Sequence, residues 1–246
     1  MSRVFLVGNG PSLKDTPLDR LIGEEAWGMN RIHLLYDRIQ WRPTLWWWTD
    51  MPQRPEHEED IKYHVFDLQE PCMIRRDVVE WKMKDVFTPV PKNVQMWDYC
   101  VHHNSSHYDR NRPEWWHIGY DKYPEKDPID KTIYCKFGSG MSVMLQHAVC
   151  QGYKDIYLLG CDLGAQPHEP GADDTFHFHP DYWTWEYKVL RTQEWADRIN
   201  KTLEYAHIIA ERSIRAYYPD VRVTNATVGG FLEVWPRADI NEILDA

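Results

Sequence analysis

Within a short stretch, Asp173-Asp174-Thr175-Phe176-His177-Phe178-His179 gathers two carboxylates and two imidazoles. Histidine titrates near neutral pH, so His177 or His179 suits proton transfer to or from a substrate. The same side chains are also of the kind that ligates a divalent cation, and if the segment is extended, alternation puts both histidines on one side. A second group of polar residues stands where short apolar runs stop: Asn9, Asn30, Asp50 and Asp162. A side chain at the tip of a buried strand is where open α/β sheets meet their ligands.

The elements that must position these residues begin with Val4-Phe5-Leu6-Val7, uniformly apolar as expected of a strand covered on both faces. Gly8 and Gly10 follow, permitting backbone paths closed to other residues and close approach to a ligand. Pro11 then fixes φ, and Ser12 is placed to cap what comes next. The turn lacks the third glycine of the dinucleotide fingerprint and the Gly-Lys-Ser/Thr of a P-loop, yet its amides suit a phosphate or ribose. Residues 26–30 and 45–50 read as two more strands, so that Asn9, Asn30 and Asp50 fall on one rim. Further on, Gly138-Ser139-Gly140 opens a helix over 141–151 with its N-terminus free for an anion, and Gly152 ends it. Residues 156–160 form a buried strand with Gly160 at its end and Asp162 just beyond.

The remaining pattern predicts a short helix at 18–23 and a solvated helix within 53–70, its charge run at the surface, leading to a strand at 63–66. A long helix is expected over 183–213, capped by Asp181 or Thr184, and a last strand over 221–225. Residues 71–131 show no long helical periodicity, and about 95–131 reads as an insertion or lid over the site. The alternation implies an α/β, Rossmann-like, doubly wound and mostly parallel sheet flanked by helices, forming one nucleotide-binding domain over 1–246.

A formal charge of −10 opposes general affinity for nucleic acid or anionic membranes. No apolar run has the form of a signal peptide or the length of a membrane span, and five cysteines without CxxC spacing indicate reduced thiols and a cytoplasmic protein. The 13 tryptophans are read as core, with stacking platforms for a sugar or base as the alternative.

Val7-Gly8-Asn9-Gly10-Pro11-Ser12-Leu13, Asn30 after a strand, Gly138-Ser139-Gly140 and the run from Gly152 to Asp162 together resemble the bacterial CMP-sialic acid-dependent sialyltransferases. The wider relatives of that group include the motility accessory factor glycosyltransferases and archaeal 6-hydroxymethylpterin diphosphokinases. The tail from Thr224 to Val234 is similar to the broad group rather than to the sialyltransferases. The resemblance implies that Asn9 contacts the donor near its phosphate and that Asn30 reads the base. It further implies that Ser139, Gly140 and Asp162 hold phosphate and ribose, and that Asp50 takes the place of another donor-contacting asparagine. His177, with His179 close behind, matches the general base for the acceptor hydroxyl, and Lys136 stands where an arginine is expected. The tyrosines that assist the leaving phosphate have no counterpart after Asp162, where Leu163 and Gly164 stand.

The expected activity is transfer of a sugar, sialic acid-like under the resemblance, from a nucleotide-activated donor, CMP-linked by preference, to an acceptor hydroxyl. No metal is required for it, and a homo-oligomer is allowed. One alternative is an ATP-dependent diphosphokinase acting on a pterin-like alcohol, in which Mg²⁺ would bridge the phosphates. Another is a nucleotide-binding protein without catalysis.

Overall fold

The computed structural model describes residues 3–99, 133–134, 138–183 and 190–246. Eight strands form one sheet: β1 (Arg3–Val7), β2 (Ala26–Met29), β3 (Leu45–Trp48), β4 (Cys72–Arg75), β5 (Val94–Tyr99), β6 (Ile133–Tyr134), β7 (Asp155–Leu159) and β8 (Arg222–Asn225). Their spatial order is β6-β5-β4-β3-β2-β1-β7-β8, and every pairing between them is parallel. From β1 the chain steps outward to β6, then returns to place β7 on the other side of β1. The sheet therefore has its switch point between β1 and β7, where neighbouring connections diverge and leave a crevice.

Side-chain alternation divides the apolar strands between two cores. Phe5, Val7, Trp46 and Trp48 enter one, while Val4, Leu6, Trp27 and Trp47 enter the other, and all eight are essentially inaccessible. The tryptophan run of β3 is thus core on both faces of the sheet. Helix α1 covers Pro55–Lys62, α2 Gly140–Cys150, α3 Gln193–Tyr217 and α4 Ile240–Asp245. Residues Met141 to Val149 of α2 are all buried. A helix apolar around most of its circumference needs partners on several sides, and α2 shares the second core with β1, β2, β3 and, from α3, Ala210 and Ile214. No helix among the described residues is long and apolar enough to cross a membrane.

Several expectations are corrected. Residues 63–66 are not a strand: Tyr63–Asp67 continues α1 as a wider helical turn that buries His64 and Val65. The strands on that side are β4 and β5, whose apolar residues are interrupted by Gln95 and Asp98 and preceded by Pro71 and Pro91. Residues 95–99 of the expected insertion belong to β5, and 100–131 lie outside the described residues. The long helix begins at Gln193, not near 183, with Thr192 Oγ1 accepting from the Trp195 amide at 3.2 Å in place of Asp181 or Thr184 as cap. Just before it, Arg191 and His168 exchange two backbone hydrogen bonds of 3.0 Å. The charge run of α1 is not wholly solvated either, since Asp60 is 8% exposed.

The glycines of the first turn pack directly against the turn that follows β7. Gly8 N donates to Leu159 O at 2.8 Å and Gly10 N to Gly160 O at 2.9 Å, so the turns after β1 and β7 run in backbone contact. A Cβ on Gly8 would stand 2.6 Å from Gly160 O, and one on Gly10 would stand 1.8 Å from Asp162 Oδ2. Gly8→Ala should lower stability by about 2 kcal/mol, since a backbone oxygen has to move. Chemical denaturation of the two proteins measures this, and coincident transitions would contradict the packing described.

Candidate functional site

A cavity of about 190 Å³ opens at the carboxyl ends of the strands, across the β1/β7 switch point. Gly8, Asn9, Gly10, Asn30, Asp50, Ser139, Gly140, Gly160, Asp162 and His177 all line it. Residues separated by up to 169 positions are thereby brought to one place, from Gly8 to His177. Pro11, Ser12, Gly138 and His179 are not among its walls, and Lys136 lies outside the described residues.

Ser12 instead holds the turns together. Its amide donates to Asp162 Oδ1 at 3.0 Å and its hydroxyl to Asp162 Oδ2 at 2.8 Å, so it does not cap the short helical turn Pro11–Lys14. Burial raises the Asp162 carboxyl, and the two hydrogen bonds from Ser12 oppose that rise. The tail wraps the same residue: Phe231 N donates to Asp162 O at 2.6 Å, and Thr227 Oγ1 accepts from Cys161 N at 3.0 Å. Asp162 is therefore a structural bridge as well as a wall of the cavity.

The α2 helix points its start into this space. Ser139 is extended and buried, its hydroxyl does not cap the helix, and Ser139, Gly140 and Met141 line the cavity. Gly140 is required there, because a Cβ would lie 2.5 Å from Thr49 Oγ1. Thr49 in turn donates from its amide and hydroxyl to Asn30 Oδ1, at 3.1 and 3.2 Å, which fixes the Asn30 amide. Asn30 is held at φ 47°, a conformation asparagine accepts more readily than most residues. The side-chain oxygen of Asn9 is buried with no hydrogen-bonding partner among the described residues.

The histidine loop is bent, so His177 and His179 part company. Asp174 Oδ1 accepts from the amides of Phe176 and His177 at 2.8 and 2.9 Å, while its Oδ2 receives His177 Nδ1 at 2.9 Å. A hydrogen bond from Nδ1–H to the carboxylate leaves Nε2 as the basic nitrogen. The imidazole stacks on Tyr182, with centroids 4.0 Å apart and planes within 5°, and Trp183 stands 4.6 Å away. Burial lowers the His177 pKa and Asp174 raises it, with burial the larger influence. His179 accepts from Asp181 N at 3.1 Å, and Asp173 is exposed; the described residues contain no His, Cys, Asp and Glu group arranged to hold a metal.

Two tethers set the loop over the cavity. Phe178 N donates to Asn9 O at 3.1 Å, tying it to the first turn. Arg31, next to Asn30, donates to the carbonyls of Asp181 and Tyr182 at 2.8 and 2.7 Å, and its Nε meets Asp60 Oδ2 at 2.8 Å. Behind Asp60 runs a chain of polar groups: His33 Nε2 at 3.1 Å, His64 Nε2 at 3.0 Å from His33 Nδ1, and Glu70 Oε2 at 2.5 Å from His64 Nδ1. Burial pushes the His64 pKa down and that of Glu70 up to about 7. The walls also include His207 of α3, which is 5% exposed and whose Nδ1 accepts from Trp235 Nε1 at 3.0 Å.

Arg31, Tyr182 and His207 escaped the sequence reading, as did the orienting role of Asp174. The spacing of Asp174 and His177, three residues apart in a loop, was available as a signal for a carboxylate-imidazole pair. Nothing in the sequence marks Arg31 or His207, because their partners are distant along the chain.

No protein-family model matches this chain, and no curated protein matches it in sequence. Among solved structures it is similar to a MAf glycosyltransferase from Magnetospirillum magneticum AMB-1, with 14% identity and a TM-score of 0.48 over 96% of this chain. It is also similar to the sialyltransferase CstII from Campylobacter jejuni, solved in complex with the substrate analogue CMP-3FNeuAc, with 14% identity and a TM-score of 0.47 over 92% of this chain. The chain spans about a third of the first protein (33%) and 80% of the second.

Arg31→Gln should free the loop, since two carbonyls lose their guanidinium donor and Asp60 loses its partner charge. Amide hydrogen exchange is expected to accelerate at Phe178 and Tyr182 while β1 and β2 keep their protection. Stability should fall by about 3 kcal/mol, as for a buried pair deprived of one partner. Unaltered exchange at Tyr182 would show that Arg31 is not the tether.

Proposed function

We propose that this protein is a glycosyltransferase that moves a sugar from a nucleotide-activated donor to an acceptor hydroxyl, with His177 as general base. The observation that carries the reading is the buried Asp174-His177 pair, oriented by two backbone amides and set against a cavity at the β1/β7 switch point. In the proposed step His177 Nε2 takes the acceptor proton as its oxygen bonds to the anomeric carbon. The bond from that carbon to the nucleotide's phosphate oxygen breaks, and its electron pair leaves on the phosphate. Asp174 compensates the imidazolium as it forms, and the amides at the start of α2, which lines the cavity, are proposed to hold the leaving phosphate.

Asn9, Asn30 and Asp50 are proposed to contact the donor, and a CMP-linked donor is favoured. No metal takes part in the proposed step. With a panel of CMP-, UDP- and GDP-linked sugars, transfer should persist in EDTA, whereas Mg²⁺-dependent turnover of ATP alone would contradict this function.

His177→Ala should reduce kcat by roughly 10²-fold to 10⁴-fold while leaving nucleotide affinity nearly unchanged. The base must be unprotonated, so turnover should fall as pH drops through the His177 pKa, which burial places below the ordinary histidine value. Because Asp174 raises that pKa, Asp174→Asn should move the acid limb to still lower pH as it slows the reaction. An acid limb unmoved by Asp174→Asn, or full turnover by His177→Ala, rejects the assignment.

A further inference from the structure

Behind the anchor of the histidine loop lies a buried row of four titratable side chains. His33 stands on the short turn Ile32–Leu35, Asp60 near the end of α1, His64 on the wider turn that follows it, and Glu70 just before β4. His64 is inaccessible, and the side chains of His33, Asp60 and Glu70 are at most 12% exposed. Three contacts link them: Asp60 Oδ1 to His33 Nε2 at 3.1 Å, His33 Nδ1 to His64 Nε2 at 3.0 Å, and His64 Nδ1 to Glu70 Oε2 at 2.5 Å. At the near end Asp60 also meets Arg31, which holds the loop by the carbonyls of Asp181 and Tyr182.

Each of these contacts joins two atoms that bear lone pairs, so each is attractive only with a proton between them. Three contacts need three protons. Two neutral imidazoles supply two, and with both carboxylates ionised one contact is left with lone pairs face to face. The row therefore needs one proton more, whether it rides on Glu70 or on His64. With it, the guanidinium of Arg31 and the row are together neutral; without it, a net negative charge is buried. The surroundings do not supply that proton. The Tyr36 hydroxyl donates to Glu70 Oε1 at 3.1 Å, and Arg42, its guanidinium 3.9 Å over the Tyr36 ring, bears on Glu70 through its charge. The Cys72 thiol and the Asn93 amide bond the Glu70 backbone carbonyl, not its carboxyl. Trp46 stacks on His64 with centroids 3.9 Å apart, Tyr63 meets His33 edge-on at 5.7 Å, and His57 senses the Asp60 charge. Burial raises Glu70 to about 7, against the pull of Tyr36 and Arg42. Because this lies above the ordinary carboxylate value, the contribution of the protonated form is complete below that ordinary value and is lost as pH rises through about 7.

We infer that Glu70 and His64 are remote positioning residues for the histidine loop: the extra proton they share keeps His33 donating to Asp60, and its release turns both imidazoles around and loosens the support of Arg31. The direction follows from where the two carboxylates stand. An ionised Glu70 is met by the neutral Tyr36 hydroxyl and by His64, so it claims the His64 proton at Nδ1. His64 Nε2 then takes a proton from His33 Nδ1, and the facing lone pairs fall between His33 Nε2 and Asp60, where the Arg31 guanidinium offsets them. Asp60, on which Arg31 bears, is thereby released by His33. This role depends on the Arg31 tether and not on the reaction that the site performs.

The test follows the full chain between about pH 5 and about pH 9 by long-range ¹H–¹⁵N spectra and by amide exchange, the latter expressed as protection so that the intrinsic pH dependence drops out. At the acid end His33 and His64 should each carry a proton on Nε2, and at the alkaline end each should carry it on Nδ1 alone. Protection at Phe178 and Tyr182 should fall by up to about 10-fold across neutrality, the worth of one hydrogen bond, while β1 and β2 keep theirs. Glu70→Gln places a permanent N–H donor against His64 Nδ1, so both rings should stay protonated on Nε2 and the loop should lose its pH dependence. Three results each overturn the inference: rings of the unaltered protein that keep one pattern throughout, a switch of tautomer with constant protection at Phe178 and Tyr182, or a Glu70→Gln protein with the pH dependence of the unaltered one. The glycosyl transfer proposed above stands in all three cases.

Discussion

Two glycine turns pressed together at the β1/β7 switch point are the constraint on which the rest of the site depends. The amides of Gly8 and Gly10 bond to the chain after β7, and Asp162 reaches back to hold Ser12 through both carboxylate oxygens. Such contact is open only to residues without a Cβ, since an added methyl at either glycine would meet oxygen within 2.6 Å. A buried carboxylate that accepts two hydrogen bonds is costly to misplace, so the bridge holds both strand tips in register. The crevice exists because β2 and β8 depart to opposite sides of this joined pair.

Everything that can act chemically hangs from that frame. The backbone carbonyl of Asn9 carries the histidine loop, and Arg31, just after β2, grips the same loop while leaning on Asp60 of α1. The tail after β8 closes over Asp162 and brings Trp235 to His207. Two histidines thus face one cavity with different assignments of their nitrogens. His177 is held at Nδ1 by a carboxylate, which leaves a basic Nε2, and His207 is held at Nδ1 by an indole donor, which leaves Nε2–H as a hydrogen-bond donor. The contrast comes wholly from the partner at Nδ1.

How much of this was legible in the sequence follows from how local each feature is. Strands β1, β2, β3 and β7 announce themselves as apolar runs followed by polar residues, β8 only as a short alternating stretch, and the cavity-lining positions at Asn9, Asn30 and Asp50 follow from the rule that ligands gather at strand carboxyl ends, that of Ser139 from the free start of a helix. Strands β4 and β5 were missed because the runs around Cys72 and Val94 are short and interrupted by proline and charge. The apolar turn at 63–66 looked like a strand because an isolated four-residue run has no readable period. Ser12 and Asp162 were each singled out, but their mutual bond joins positions 150 apart and leaves no local trace. The same holds for Arg31 with Asp60 and for His207 with Trp235. Buried polar pairs are the part of this molecule that only the folded arrangement reveals.

A mononucleotide is proposed to lie across the joined turns at the β1/β7 switch point. A titration of the ¹⁵N-labelled protein with CMP, followed by amide chemical shifts, addresses it most directly. Saturable shifts are expected at the amides of residues 8–10, 12, 139–141 and 160–163. Saturable shifts confined to other surfaces, or no shifts with CMP or any other nucleoside monophosphate, would contradict it.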